Sequence, residues 1–252
     1  MSGNKNITLC LLSVFLLVPV SILTALPVSF WIDAETGAAF TAYNDVQIPA
    51  DTGTRFSLAD DLSPDTAWFY RLQAGIDIGR HSVFALYAPL KVVSSGTAGE
   101  DIDFYGESFS TGTDITGTYV FNSYRLTYAY TFLETPRLAL AAGLTGKIRD
   151  AYISLDDGTV ESKRTDLGFV PLIHFSARWF FMPNFSLLLK GDGLAAPQGR
   201  AEDFLLALTW SSVPDLDLRI GYRLLEGGSD GGGSVYTFSM FHYLGAGVQW
   251  RF

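Results

Sequence analysis

The stretch LGAGVQWRF, Leu244–Phe252, decides how the rest of the chain is read. Leu244, Ala246, Val248, Trp250 and Phe252 share one face of a strand, because strand side chains alternate with period 2. Gly245, Gly247, Gln249 and Arg251 share the other. A soluble sheet packed on one side can carry the same pattern. The apolar face is a lipid face only if other segments repeat it and the connections between them sort as those of a membrane barrel do.

Other segments do repeat it. In YVFNSYRLTYAYTF, Val120, Asn122, Tyr124, Leu126, Tyr128, Tyr130 and Phe132 oppose Phe121, Ser123, Arg125, Thr127, Ala129 and Thr131. In DFLLALTW the apolar face is Phe204, Leu206, Leu208 and Trp210. In LDLRIGYRL, Leu216, Leu218, Ile220, Tyr222 and Leu224 oppose Asp217, Arg219, Gly221 and Arg223. Strands are predicted at 28–43, 66–79, 82–93, 118–132, 137–151, 165–181, 185–195, 202–213, 216–226 and 236–252. No helical period persists. The connections alternate in length: GRH, ETP, MPN and VPD are short, whereas 44–65, 94–117 and 152–164 are long, with smaller loops at 196–201 and 227–235. Short periplasmic turns alternating with longer outside loops are the pattern of an outer-membrane barrel. Aromatics gather towards strand ends, among them Trp31, Trp68, Tyr70, Trp179, Phe180, Phe181 and Trp250. Amphipathic rings favour membrane interfaces. The expected fold is all-β: a transmembrane antiparallel up-and-down β-barrel of about ten strands (8–12).

Composition agrees. Charged residues are 17%, aromatic residues 14% and hydrophobic residues 48% of the chain. A formal charge of −9 argues against nucleic acid, which needs a basic surface. Residues 1–25 read as a signal peptide: Lys5, an apolar run, then small residues near Ala25. The barrel domain is then 26–252. Cys10, the single cysteine, falls in the expected signal peptide, so neither disulfide nor thiol chemistry is expected in the mature chain. No metal or cofactor motif is found; GGSDGGGS lacks the spaced acids of a calcium loop.

If the apolar faces meet lipid, the opposite faces line the lumen. The inward positions include Asp33, Glu35, Arg71, Asp77, Lys91, His174, Arg178, Asp203, Asp217 and Arg251. The lumen or ligand-binding candidates are Arg125, Lys147, Arg149, Lys190, Asp192, Arg219 and Arg223. Two stretches, KGDGLAAPQGRAED and GYRLLEGGSDGGG, put charge at outer strand ends and mark Arg200, Glu202, Asp203 and Glu226 as outer-rim candidates. About ten strands enclose a narrow interior, since only barrels of roughly 16 or more leave a wide channel. The expected role is structural or surface-interacting, with the lumen filled by a charged side-chain network. The alternative is a narrow anion-favouring pore or small-ligand transporter.

The ending resembles the C-terminal signal of bacterial outer-membrane barrels. That resemblance implies that Phe252 and Trp250 are read by the barrel assembly machinery, with outer-membrane lipid as the other partner and any surface ligand unknown. NSYRLTYAYTF, GKIRDAYISL, GDGLAAPQGRAED, GYRLLEGG and the last strand together resemble a family of uncharacterised bacterial outer-membrane β-barrel proteins, which implies residence in the bacterial outer membrane and carries no assigned activity to transfer. Two enzyme readings rank below these. His174 and Ser176 in LIHFSARW resemble the His-x-Ser of outer-membrane lipid A deacylases, but Ala177 stands where that pattern continues with Asn, and the next strand offers only leucines around Leu188. An omptin-like protease needs an Asp pair and an Asp–His pair at the outer rim. Asp60 and Asp61 are in a long loop, and His81, His174 and His242 are poorly placed to join them.

Overall fold

A computed structural model of the protein describes residues 27–230, 232 and 234–252. The expected signal peptide lies outside these residues. The strands are β1 (Val28–Gln47), β2 (Phe56–Ser57), β3 (Ser63–Pro64), β4 (Ala67–Ile78), β5 (His81–Ala88), β6 (Lys91–Thr97), β7 (Ile102–Phe104), β8 (Glu107–Phe109), β9 (Asp114–Glu134), β10 (Leu138–Asp156), β11 (Glu161–Met182), β12 (Phe185–Ala196), β13 (Gly199–Val213), β14 (Leu216–Asp230) and β15 (Tyr236–Arg251). Both β5 and β6 pair with β9, and Leu90 exchanges two backbone bonds with Phe121 between them. They are one stave interrupted at Pro89, which has no N–H to give. Counted so, ten antiparallel staves run in chain order around a ring, and β15 closes it on β1. Closure leaves no open end to the sheet, as a backbone in lipid requires.

The ending of the chain makes that closure. Trp31 pairs with Arg251 and Ile32 with Trp250, and Phe252 exchanges backbone bonds of 2.9 and 3.0 Å with Phe30. The four short turns fall where the sequence puts them. Asn184 and Asp215, each after a proline, take φ of 65° and 61°, which Asn and Asp tolerate.

Outward side chains form the apolar belt. Leu126, Leu144, Phe169 and Ile220 are 62%, 68%, 70% and 64% exposed. Apolar surface of this extent around the whole wall belongs in hydrocarbon. Two expectations about facing fail. Trp31 points inward, buried, with its indole N–H on Asp77 at 3.2 Å. Lys91 is exposed on the outer wall, because the break at Pro89–Leu90 keeps Val92 and Ser94 inward.

The strands also run higher than the sequence suggests. β9, β10 and β11 have 21, 19 and 22 residues, about twice the 9–11 a tilted strand needs to cross a bilayer. Most of 152–164 is therefore strand, and only 157–160 connects β10 to β11. Above the membrane neither face meets lipid, so the alternation that betrays a strand fades while the ladder continues. In the connecting turn, the amides of Val160 and Thr159 hold the Asp157 carboxyl below the usual carboxylate range.

The long outer loops make an apolar lid. Phe56, Leu58, Leu62, Ile102, Phe104 and Phe109 are buried together over Val46, Ile115 and Leu155 of the wall. The lid is tied across the mouth: Ser162 of β11 donates to the Phe104 carbonyl at 3.0 Å, and Ala50 N–H to the Ser234 carbonyl at 3.1 Å.

One place in the wall is incomplete. β11 pairs with β10 along its whole length, but with β12 only from Ile173 (opposite Gly193) downwards. Above that, residues 161–172 have no strand on this side among the described residues, and Leu194, Ala195 and Ala196 pair only with β13. Pro171, which cannot donate to a ladder, stands where the pairing stops.

Candidate functional site

The inner face carries charge in tiers. Nearest the periplasmic turns, Asp217 of β14 accepts from Arg178 of β11 and from Arg251 of β15, each at 2.9 Å. Above it, Arg219 is ion-paired with Asp33 and donates to Glu35 at 3.2 Å. The middle tier centres on Asp203. It accepts from Arg71 at 2.9 Å, from Arg125 at 2.7 Å and from Arg223 at 2.5 Å. Arg223 also bonds Glu35 at 2.8 and 3.0 Å, and Arg125 bonds Asp192 at 2.7 Å. Thr127, Thr145 and Asp192 continue the chain through two further bonds of 2.8 and 2.7 Å. Asp203 sits on β13, while Arg71 and Arg125 come from β4 and β9 on the far wall. The tier therefore crosses the lumen. Buried charges demand such pairing, because an unpaired ion in a dry interior is expensive.

The structure brings Arg125, Asp192, Arg219 and Arg223 into this network and leaves three lumen candidates beside it. Lys190 points inward opposite Ser176 and Leu205, with no hydrogen bond or ion pair among the described residues. Arg149 is higher, ion-paired with Asp166. Lys147 stands directly across the β9–β10 ladder from Arg125, with its ammonium 4.5 Å over the Phe121 ring.

Of the rim candidates, Asp203 is not at the rim. It is 2% exposed and is the hub of the middle tier. Arg200 and Glu226 are outer, on the outward face, where Arg200 grips Glu226 with contacts of 2.6–2.9 Å and the Tyr43 hydroxyl donates to the same carboxylate at 2.5 Å. Tyr43 reaches that face because β1 is bulged between Thr41 and Tyr43. Glu202 lies opposite Glu226 in the ladder and makes no ion pair among the described residues. Trp250 and Phe252 face outward at the periplasmic end, 55% and 66% exposed.

Between the network and the lid lies a cavity of about 600 Å³. Tyr119, Phe121, Ile153, Leu194, Leu225 and Phe241 give it apolar walls, and Lys147 and Arg149 reach it from β10. It also touches Phe169 and Pro171, which lie on the outward face of β11. Among the described residues, no group of three His, Cys, Asp or Glu side chains is placed to hold a metal ion.

The histidines are separated. His81 bonds Tyr128 at 2.8 Å and His242 bonds Tyr222 at 2.5 Å, both exposed on the outer wall. His174 is in the lumen and does have an acid beside it: Asp192, at 2.8 Å from Nδ1. The register pairs His174 with Asp192, four residues beyond the leucine that the sequence reading inspected. Ser176 makes no hydrogen bond to His174 among the described residues, so the Ser–His half of a nucleophilic triad is not formed. Asp60 and Asp61 are exposed loop residues, and Asp61 caps the Ser57 amide at 2.7 Å.

The outer membrane protease OmpT from Escherichia coli superposes on this chain with a TM-score of 0.53 at 11% identity, over 89% of this chain and 97% of that one. The chain folds as a bacterial outer-membrane β-barrel. An outer membrane channel from Pseudomonas putida F1 gives a TM-score of 0.45 at 12% identity, over 90% of this chain and 97% of that one. Neisserial surface protein A gives 0.33 at 16% identity, over 88% and 97%. No family model and no curated protein matches the sequence. At 11% identity the likeness to OmpT is one of architecture.

The cavity and the lid escaped the sequence reading. Their signal is faint but present: Phe56, Leu58, Leu62, Phe104 and Phe109 are apolar residues inside loops otherwise crowded with acids.

Proposed function

We propose that the protein is a non-conducting outer-membrane barrel, closed at mid-membrane by side chains, whose work is done at its outer end as a surface-interacting or binding barrel. The observation that carries this reading is the middle tier, in which one carboxylate, Asp203, receives arginines from strands on opposite walls. A water column would have to break those contacts, and each exposes a buried charge. The alternative, a narrow anion-favouring pore, draws on the surplus cations Lys147 and Lys190, since fixed charge in a low-dielectric tube concentrates the opposite sign.

Planar-bilayer recording of the refolded protein separates the two. The plugged barrel gives no steps while remaining heat-modifiable on gels. Stable anion-selective steps that shift in Arg125→Glu establish the pore instead.

A further inference from the structure

We propose that the cavity under the lid binds a single-tailed anionic amphiphile drawn from the membrane, which enters sideways between β11 and the β12–β13 hairpin and sets its head against Lys147. The inference rests on the reading of the lumen as closed below the cavity.

The head group follows from Lys147. This side chain is 3% exposed, lines the cavity, and has no hydrogen bond or ion pair among the described residues. Its ladder neighbour is another cation, Arg125, whose charge is already met by Asp192 and Asp203. The Phe121 ring gives the ammonium only a weak cation–π partner, at 4.5 Å. A buried ammonium held only so is costly to keep charged. An anion in the cavity supplies the missing partner; Arg149, one inward position above, is already ion-paired with Asp166, which leaves Lys147 as the cation that lacks one.

The tail follows from the walls. A volume of about 600 Å³ lies within the roughly 300–1,000 Å³ range of small-molecule sites, and it is lined mainly by rings and aliphatic side chains. A small hydrophilic anion would leave that surface uncovered. A lipid with several chains would not fit inside it.

The route follows from the ladder. The free edge of β11 begins beside Phe169, Pro171 and Ile173, outward residues that belong to the lipid-facing belt. Unpaired backbone at this depth is tolerated only where it lines a polar or water-filled space. The cavity provides that space and reaches both faces of the wall, from Phe241 inside to Phe169 and Pro171 outside. Overhead, the lid is packed and tied to β11 through Ser162 and to the β14–β15 loop through Ser234. The side gap is the way in that joins the cavity to hydrocarbon.

The test uses the full barrel in nanodiscs of zwitterionic lipid. The probe is cis-parinaric acid, a fluorescent polyene carboxylate, compared with its uncharged methyl ester. Saturable emission is expected from the acid, weakened roughly tenfold or more both for the ester and in Lys147→Gln, as loss of one charge-assisted contact gives. Acetate and inorganic phosphate should not displace the probe; displacement by either would mean a site for soluble anions and would overturn the membrane source. Ala196→Trp, at the exposed hairpin tip, should slow probe uptake without changing heat-modifiability. Equal binding of acid and ester, or an unaltered Lys147→Gln, overturns the head-group assignment. Unchanged uptake in Ala196→Trp overturns the lateral route. Bilayer conductance is read separately, so a pore can be detected whatever the probe does.

Discussion

Arg125 and Asp203 meet across the lumen, Nη2 to Oδ2 at 2.7 Å, although their strands stand four places apart in the ring. Both side chains are almost wholly buried. Asp203→Asn keeps the shape and removes the charge that three guanidinium groups share. Breaking one partner of a buried pair costs about 3–5 kcal/mol, and a loss of that size is expected in urea unfolding from lipid vesicles. A second substitution, Arg71→Gln, should recover part of it by removing one of the stranded cations. An Asp203→Asn barrel as stable as the parent would reduce the network to filler.

The lipid face gives a second expectation. Leu208 is outward on β13, and Leu208→Arg near mid-membrane should cost roughly 2–4 kcal/mol. Inward polar positions are not uniformly tolerant. Thr127→Ser keeps the hydroxyl bonded to Thr145 and should be nearly silent, whereas Thr127→Val should cost about 1 kcal/mol by removing it. Unfolding titrations of the three variants check the order.

At the closing seam, the rings of Phe30 and Phe252 stack with centroids 6.4 Å apart, and their backbones exchange two bonds. Phe252→Ser retains the backbone bonds. It should therefore lower the amount of barrel assembled in cells while leaving the refolded protein close to parental stability. A parallel fall in both would make Phe252 a stability residue and remove the assembly role proposed for it.

The whole protein should fractionate with outer membranes and migrate faster on gels unheated than boiled. Recovery in the cytosol or the inner membrane would contradict the barrel's place in lipid, which its outward belt demands.

The staves were legible because lipid imposes a strict contrast on them: Leu206, Leu208 and Ile220 outside, Arg125 and Arg219 inside. Where the contrast ends, so did legibility. The upper parts of β10 and β11 rise out of the membrane and lose the alternation, so 152–164 read as a loop. Trp31 reads as an interfacial ring by its residue type, but it shares its face with Asp33 and Glu35, and that face is inside. Asp203 read in two ways: inward from its parity, and at the rim from its closeness to Pro197 and Gly199. The inward reading holds, and the ladder sets Asp203 opposite Asp192, among the arginines of the middle tier. The partnership of His174 with Asp192 was likewise hidden, since the ladder offset between β11 and β12 is set by the turn at Pro183–Asn184 together with the bulge between Phe180 and Met182.

The middle tier has a consequence for how the chain chooses among its own near-copies. Sliding a strand by one residue turns its oily side inward, and the membrane itself forbids that. A slide by two residues restores every face, and hydrophobicity is blind to the error. It is not blind to Asp203, whose three arginines come from β4, β9 and β14 and can all reach it in only one alignment. The charges thus hold the part of the folding message that the bilayer cannot read: lipid sorts in from out, and the ion pairs count the residues.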